Sequence, residues 1–366
     1  MNSIKQRVET EKKYKIMKQD AEWFRLRSIL GYDWAYFYFL LGGREAGKSY
    51  AVTEFYVSQF FKYGRPFYWI RLTENQANKL LTNNAEKLVD PDIRRKYNLD
   101  LFTKGDIVYN IEKRSKPDKD GKTRILKKTM MARVLALSTF YNDKGSGLFD
   151  KDFLNDPKMY YNIALDEFQR EKNEKKTFDI LYAFTNQLEN LVRSTKTRVR
   201  VFCIGNTLEE ASDLLCAFNF IPEAFGRYSL KRKRCVIDYI EPSEAYLARR
   251  KGTIADILMP QASTFTNKIK TDGALIVKKK RNLKPHYVIK FSKDTSDWFT
   301  LWGDNIVSKY KKENKTVIAM IPYIDEIFNT KQRDTIFELF NARALKFSDL
   351  ITFRKFQTNL YLLKPR

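Results

Sequence analysis

The chain has very little histidine and cysteine, and this scarcity removes several classes of catalytic and metal site. Of its 366 residues, one is a histidine, His286, and three are cysteines, at positions 203, 216 and 235. Histidine-based metal sites and Ser-His or Cys-His triads are therefore nearly excluded. The three cysteines fit neither a disulfide framework nor a zinc pattern. Such usage is typical of a protein of a reducing compartment.

Long hydrophobic runs are also missing. The longest one, Trp34–Leu41, has eight residues, whereas a helix that crosses a bilayer needs about 20. Residues 1–20 are polar and charged, so we expect no signal peptide. The sequence therefore predicts a soluble protein with no membrane partner.

Positive charge, in contrast, is abundant. The formal net charge is +24, and residues 231–366 contain 28 basic and 14 acidic residues. Two basic runs stand out, KRKR at 231–234 and KKKR at 278–281. A surplus this large favours a polyanionic partner. From the charge alone, nucleic acid is the first candidate partner and an anionic membrane surface is the competing one; of the two we predict nucleic acid.

Residues 34–72 predict a strand, a glycine-rich loop, a helix and a second strand. The run WAYFYFLL at 34–41 reads as a buried strand, and GGREAGKS follows it directly. Residues 49–63 have apolar side chains at helical spacing up to Gly64, and PFYWIRL at 66–72 reads as the next strand. This order is a βαβ unit, which predicts an α/β fold with a mainly parallel central sheet.

The loop between that first strand and helix matches the Walker A pattern in full. Its glycines let backbone N–H groups turn toward phosphate oxygens, and the following helix directs its positive end at the same place. Lys48 is expected to reach the β- and γ-phosphates of ATP, and the Ser49 hydroxyl is expected to bind Mg²⁺. The predicted cofactor-binding residues here are Gly42, Gly43, Arg44, Glu45, Ala46, Gly47, Lys48, Ser49 and Tyr50.

Two more strands place polar side chains at their ends. YYNIAL at 160–165 leads into Asp166 and Glu167, and VRVFCI at 199–204 leads into Gly205 and Asn206. We predict that Asp166 lies by Mg²⁺ and that Glu167 polarises the attacking water. Asn206 is predicted to lie beside the γ-phosphate as a sensor. Ordinary surface turns are the alternative interpretations of both sites.

The rest of the chain is divided by its composition. We predict an N-terminal helical arm over 1–30 and an ATPase domain over 31–215, with a charged insertion at 84–130. DIVYNI and MARVLALS are predicted strands of that domain, and residues 178–192 are predicted to form one of its helices. A linker or lid then covers 216–270. A smaller basic α/β domain covers 271–366, with strands in YVIKFS, WFTLWGDN and TVIAMIP and helices after Asp325.

Four stretches resemble the DNA-packaging motor ATPases of small tailed phages, of the phi-twenty-nine type. They are GGREAGKSY, YGRPFYWIR, ALDEFQREK and LVRSTKTRVRVFCIGNT, which span most of 34–207. The resemblance implies an ASCE-type P-loop ATPase, related in fold to FtsK/HerA translocases, and a C-terminal domain like an inactive RNase H-like nuclease. It also implies a pentameric ring that drives double-stranded DNA into the procapsid at its portal, in the host cytoplasm. A packaging RNA is a partner in the best-known member.

The family's roles transfer residue by residue. Lys48 and Ser49 match the Walker A residues, and Asp166 and Glu167 match the Walker B pair. Arg193 matches the arginine that acts on the neighbouring subunit's ATP, and we predict that it is catalytic together with Lys48 and Glu167. Arg71 matches a basic residue after the second strand.

Other functions remain open from the sequence. The chain is alternatively a different nucleic-acid-dependent P-loop ATPase, of the helicase or helicase-loader type, or a nucleoside kinase. A nucleic-acid-binding module with a degenerate nucleotide site is a third possibility, although the intact Glu167 argues against it. A nuclease needs clustered carboxylates, and the late ones are scattered, at positions 294, 297, 304 and 325.

Overall fold

The aromatic run before the glycine loop forms a central strand of a large sheet. In the computed structural model this sheet has nine strands in the order β3-β4-β5-β2-β6-β7-β1-β9-β8. The strands are β1 (Phe37–Leu41), β2 (Phe67–Arg71), β3 (Leu101–Lys104), β4 (Ile107–Lys113), β5 (Ile125–Ala136), β6 (Tyr160–Asp166), β7 (Arg198–Gly205), β8 (Gly226–Leu230) and β9 (Cys235–Tyr239). Strands β5, β2, β6, β7, β1 and β9 are mutually parallel. The predicted α/β fold with a mainly parallel sheet is confirmed.

The structure describes residues 22–113, 125–143, 160–170, 178–192, 198–206, 212–258, 275–277, 283–291, 296–310, 320–321 and 331–362. Two compact units make up the chain: residues 1–208 with 222–269, and residues 209–221 with 270–366. The nine-stranded sheet belongs to the first unit. In the described part of the chain, every helix is too short or too polar to cross a bilayer.

The parallel core of the sheet is buried because its strands carry continuous apolar runs. Phe39, Leu40 and Leu41 of β1 are fully buried, as are Ile163, Ala164 and Leu165 of β6. Helix α1 (Lys48–Tyr63) packs on one face through Val52, Tyr56, Val57 and Phe60. It ends at Gly64, whose φ of 61° is the left-handed conformation that glycine adopts at low cost. The other helices of this unit are α2 (Glu74–Ala85), α3 (Pro91–Lys96), α4 (Ile180–Val192), α6 (Glu244–Arg250) and α7 (Ile254–Leu258).

The charged insertion at 84–130 builds one edge of the sheet. Strands β3, β4 and β5 form an antiparallel meander, and β5 then pairs in parallel with β2. DIVYNI and MARVLALS therefore form strands as predicted, with β5 beginning earlier than expected. Residues 114–124 of this insertion lie outside the described part.

The segment predicted as a linker or lid, 216–270, supplies the opposite edge. Strand β9 pairs in parallel with β1, and β8 pairs antiparallel with β9. Arg227 and Asp238 form a buried ion pair across this hairpin, with 2.6 Å between Nη2 and Oδ2. The two strands are only five residues each, and in the sequence they stand among charged residues. Their place in the sheet depends on the pairing of β9 with β1 and of β8 with β9.

The predicted arm over 1–30 falls mostly outside the described residues. In its described part, Leu26–Ser28 form a 3-10 turn, and Phe24, Leu26 and Ile29 are buried in the core of the first unit. These residues belong to the core of the first unit, in place of the helical arm that we predict for them.

The second unit contains a five-stranded sheet in the order β13-β10-β11-β12-β14. Its strands are β10 (Pro285–Lys290), β11 (Trp298–Trp302), β12 (Ile306–Lys309), β13 (Met320–Ile321) and β14 (Lys346–Phe347), and its helices are α5 (Asp213–Ala217), α8 (Lys331–Asn341) and α9 (Leu350–Leu362). Phe291, Phe299, Phe347 and Phe356 form its core. Arg354 of α9 binds both carboxylate oxygens of Asp213, at 2.7 and 3.0 Å. Segment 212–217 is thereby part of this unit, although in sequence it follows β7 of the first unit.

Candidate functional site

A pocket of about 420 Å³ lies at the carboxyl ends of β1, β6 and β7. It is lined by Arg44, Glu45, Ala46, Gly47, Lys48, Ser49, Tyr50, Asp166, Glu167, Ile204, Gly205 and Asn206. Parallel strands that end at one edge of a sheet form the usual ligand crevice of α/β proteins. The structure thus brings together the predicted Walker A residues, the acidic pair and Asn206. Gly42 and Gly43 lie at the base of the same loop.

The N-terminus of α1 opens into this pocket. Its N-cap, Gly47, has φ 83°, and no side chain caps the helix there. The first N–H groups of a helix have no partner within the helix, and they carry partial positive charge. A phosphate group is therefore a fitting ligand at this position.

Lys48 is the buried cation of the pocket. It is 6% exposed, and its Nζ donates to the carbonyl oxygens of Gly42 at 2.9 Å and Gly43 at 2.6 Å. Burial lowers the pKa of Lys48 to about 8, against the opposing effect of the Asp166 and Glu167 carboxylates. Bound phosphates would restore the charged form, so the protonation of Lys48 is linked to nucleotide binding.

This linkage predicts that affinity for ATP falls as the pH rises above about 8. Above that pH, Lys48 is neutral in the free protein and must take up a proton when the nucleotide binds. The Kd for ATP therefore rises by up to about tenfold for each pH unit. Calorimetric titration in two buffers of different ionisation enthalpy, on both sides of this pH, measures the uptake. Lys48→Arg keeps its charge at all these pH values and should show no such dependence. A flat affinity for the unmodified protein would contradict the linkage.

Ser49, Asp166 and Arg71 form a polar chain next to Lys48. The Ser49 hydroxyl donates to Asp166 Oδ1 at 3.1 Å, and Arg71 Nη1 lies 3.3 Å from Asp166 Oδ2. Burial raises the pKa of Asp166, and Arg71 is the largest effect that opposes the increase. One hydroxyl and one carboxylate facing each other are the oxygen donors that Mg²⁺ takes from proteins in nucleotide sites. Ser49 and Asp166 therefore fit the predicted metal.

Glu167 lies at the mouth of the pocket. Its side chain is 48% exposed, and Oε2 is 2.8 Å from Arg71 Nη1. Its φ of 55° is in the left-handed region that non-glycine residues rarely adopt. Such strained residues cluster at functional sites. The turn lets Asp166 face Ser49 while the next carboxylate reaches open solvent in the same pocket.

Asn206 follows the end of β7, between the other two strand ends. Strand β7 pairs with β6 on one side and β1 on the other, so its end falls between the acidic pair and the glycine loop. Gln169 Nε2 donates to the Asn206 carbonyl at 3.2 Å. Asn206 thus lines the pocket, and its predicted role as a sensor stays a prediction.

Several residues with predicted roles lie outside the described part of the chain. Arg193 and the basic run 278–281 lie outside the described residues, as do Asp294 and Asp325. The KRKR run at 231–234 forms an exposed 3-10 turn between β8 and β9, ending at Arg234 with φ 51°. The roles suggested for all of these remain predictions.

Sequence reasoning identified Arg71 only by family resemblance and missed the residues behind the glycine loop. Tyr246, Arg249 and Arg250 of α6 contact the loop from the side away from the pocket. They are about 200 positions from the loop, as the 202–206 residue separations show. In the sequence, the segment AYLARR shows only two basic residues at its end. Nothing in this pattern indicates that the segment contacts the glycine loop.

Comparisons with known proteins agree with the resemblance carried by the motifs. No family model matches the chain. Over 208 residues the chain is 24% identical to proteins named "DNA packaging protein" from Bacillus phages PZA and phi29, a match that covers 56% of this chain. The same match covers 52% of each relative, so the chain spans about half the length of the curated relatives it matches.

A solved structure shares the fold over nearly the whole chain. It is the bacteriophage Phi-29 viral genome packaging motor assembly, with a TM-score of 0.59, 18% sequence identity and coverage of 94% of this chain and 99% of that chain. The resemblance to the phage DNA-packaging ATPases is therefore confirmed, in sequence over 208 residues and in fold over most of the chain.

Proposed function

We propose that this chain is the ATPase subunit of a motor that moves double-stranded DNA into a phage procapsid. One observation carries the catalytic part: the N-terminus of α1, Lys48, the Ser49–Asp166 pair and Glu167 converge on one pocket of about 420 Å³. These are the parts that phosphoryl transfer requires, since such catalysis consists mainly of positioning and charge stabilisation. The similarity to phage DNA packaging proteins supports the DNA part.

Each residue has a separate task in the proposed hydrolysis of Mg-ATP. The loop amides and Lys48 would hold the β- and γ-phosphates, and Ser49 with Asp166 would hold Mg²⁺. Glu167 orients the attacking water and accepts its proton, and Asn206 senses the γ-phosphate. Arg193 stabilises the transition-state charge at the neighbouring subunit's site. Bound Mg²⁺ supplies neutralisation of the charge that develops on the phosphate oxygens.

The proposed assembly is a homo-oligomeric ring at the portal vertex of the procapsid, in the host cytoplasm. A pentamer and a packaging RNA are what the family resemblance suggests. The net charge of +24 supports a polyanionic partner of this kind. Because a motor must hold every sequence that it meets, its contacts are proposed to go to phosphates and not to base edges.

For the second unit we propose a nuclease-like domain without nuclease activity. Strands β10, β11 and β12 are antiparallel neighbours, and β13 adds to β10 in parallel. Asp297 is engaged by Lys355 at 2.8 Å, and Asp304 is exposed on a turn with φ 59°. Within the described ranges, no three histidine, cysteine or acidic side chains are grouped to hold a metal.

Stimulation of ATP hydrolysis by duplex DNA tests the proposal. Hydrolysis by the purified chain should rise with added duplex DNA, equally for unrelated sequences of one length, and the effect should fall steeply with log salt as counterions are released. Single-stranded DNA and structured RNA of equal nucleotide content are the comparisons. Stimulation by single strands alone would favour a helicase-type ATPase. A rate of hydrolysis that is unchanged by duplex DNA, single-stranded DNA and RNA would contradict the proposal that the chain is a nucleic-acid motor.

A further inference from the structure

The glycine loop turns three consecutive carbonyl groups toward other parts of the first unit, and each of them is hydrogen-bonded there. The Arg44 carbonyl accepts from Tyr246 Oη at 2.9 Å and from Arg250 Nη1 at 3.0 Å. The Glu45 carbonyl accepts from Arg249 Nη2 at 2.6 Å, and the Ala46 carbonyl accepts from the Phe24 amide at 2.9 Å.

These bonds determine where the loop's amides point. In a trans peptide, the C=O of one residue and the N–H of the next lie in one plane and point in opposite directions. Holding the carbonyls of residues 44, 45 and 46 outward therefore turns the amides of residues 45, 46 and 47 the other way. Glu45 has φ 60° and Gly47 has φ 83°, and left-handed residues of this kind make successive amides converge into an anion-binding nest.

Tyr246 and Arg250 are themselves fixed in place. They are 3% and 6% exposed, and Arg250 Nη1 also donates to Tyr246 Oη at 3.2 Å. Ser243 caps their helix by accepting from the Tyr246 amide at 3.1 Å. A Cβ at Gly43 would collide with the Tyr246 hydroxyl, so the absence of a side chain at Gly43 is what admits this hydroxyl behind the loop.

Arg249 is held between two further groups. Its guanidinium lies 4.1 Å from the centre of the Trp23 ring, and its Nε is 2.9 Å from Glu22 Oε1. Trp23 in turn packs against Gly47, where an added Cβ would lie 3.2 Å from Trp23 Cε3. The outer side of the loop is thus supported by α6 and by the 22–24 segment together.

We infer that Tyr246, Arg249 and Arg250 are positioning residues that hold the phosphate-binding loop with its amides turned into the pocket before a nucleotide arrives. This inference rests on the proposed nucleotide function of the pocket. The three residues do not line the pocket, and they act on the bound phosphates only through the loop backbone. Pre-orientation of this kind lowers the cost of ordering a site on binding.

The test is the affinity for Mg-ATP and Mg-ADP of Tyr246→Phe, Arg250→Gln and the double variant, measured by equilibrium titration of the full chain. Tyr246→Phe removes one neutral hydrogen bond and should weaken nucleotide binding by roughly three- to tenfold. Arg250→Gln removes the charged donor and should weaken binding by about ten- to a hundredfold. The double variant should lose more affinity than the product of the two single-variant fold-losses, because each single variant leaves one donor on the Arg44 carbonyl. Arg250→Lys should recover part of the affinity.

Matched controls separate positioning from general stability. Tyr228→Phe removes a hydroxyl that donates to the Ala224 carbonyl, and Arg94→Gln removes a guanidinium that donates to the carbonyls of Asn84 and Val89. Both controls should bind nucleotide as the unmodified chain does. In the Tyr246 and Arg250 variants KM should rise while kcat stays nearly unchanged, because the loop holds ground state and transition state alike.

The outcomes distinguish this inference from the proposed function. If the unmodified chain binds ATP and the Tyr246 and Arg250 variants bind it equally well, the positioning inference is wrong and the nucleotide site stands. If affinity falls only in step with the urea midpoint of unfolding, and the control variants behave the same way, the residues are merely structural and the inference again fails. If the unmodified chain binds no nucleotide, the proposed function itself is wrong.

Discussion

Glu167→Gln should leave Mg-ATP binding intact and lower the turnover of ATP by about 10²- to 10⁴-fold, the usual contribution of a positioned general base. The substitution removes the carboxylate that accepts a proton from water but keeps the size of the side chain. Lys48, Ser49 and Asp166 are untouched, so the groups that hold the phosphates and the metal remain. Arg71 Nη1 still lies 3.3 Å from Asp166 Oδ2, which keeps that carboxylate paired.

The measurement is steady-state hydrolysis next to equilibrium binding of ATP, on the same preparations. Glu54→Gln is the matched control, because Glu54 lies on α1 and pairs with Lys96 outside the pocket. The control should hydrolyse ATP at the unmodified rate. A Glu167→Gln chain with unchanged turnover would assign the general base to another residue.

Lys48→Met should abolish measurable nucleotide binding, with a loss of affinity of at least about a hundredfold. A charge-assisted hydrogen bond contributes roughly 1.5–3 kcal/mol, and a lysine that reaches two phosphates would make two of them. Methionine fills the space of the buried carbon chain but leaves the phosphate charge uncompensated in a partly enclosed pocket. The loss should affect ATP and ADP alike, since the predicted contacts include the β-phosphate.

Binding of a fluorescent nucleotide analogue, with competition by ATP, measures this loss. Lys62→Met is the matched control, because Lys62 lies exposed in the last turn of the same helix. It should bind nucleotide normally. A cooperative unfolding transition in urea checks that both variants are folded. Retained affinity in Lys48→Met would mean that the loop amides hold the phosphates without the lysine.

The central part of the fold could be predicted from local patterns. Strands β2, β6 and β7 were predicted within one residue of their observed bounds, and β1 begins three residues later than predicted; each is a largely apolar run, as expected of a strand buried on both faces. Their parallel order then places their carboxyl ends at one edge. The gathering of the glycine loop, the acidic pair and Asn206 follows from that order, and the structure shows all of them lining one pocket.

The edges of the sheet were harder to predict for a physical reason. Strands β8 and β9 were assigned to a linker, since their five-residue lengths and the adjacent KRKR run give a weak pattern. What makes β9 a strand is its parallel pairing with β1, nearly 200 residues earlier in the chain. The fit of a strand depends on its cross-strand neighbours more than on its own preference.

By itself, the sequence determined which residues line the pocket and which roles we propose for them: phosphate-binding amides, the buried ammonium of Lys48, oxygen donors for a metal, and a general base. These depend on a contiguous motif and on residues directly after apolar strands, both of which are local. Only the tertiary structure decided what surrounds them. Arg71 bridges Asp166 and Glu167, and Tyr246, Arg249 and Arg250 hold the loop from behind. Such contacts join groups that lie about 95 to 206 residues apart in sequence. Strand order and packing bring these groups together, and no local sequence pattern encodes that.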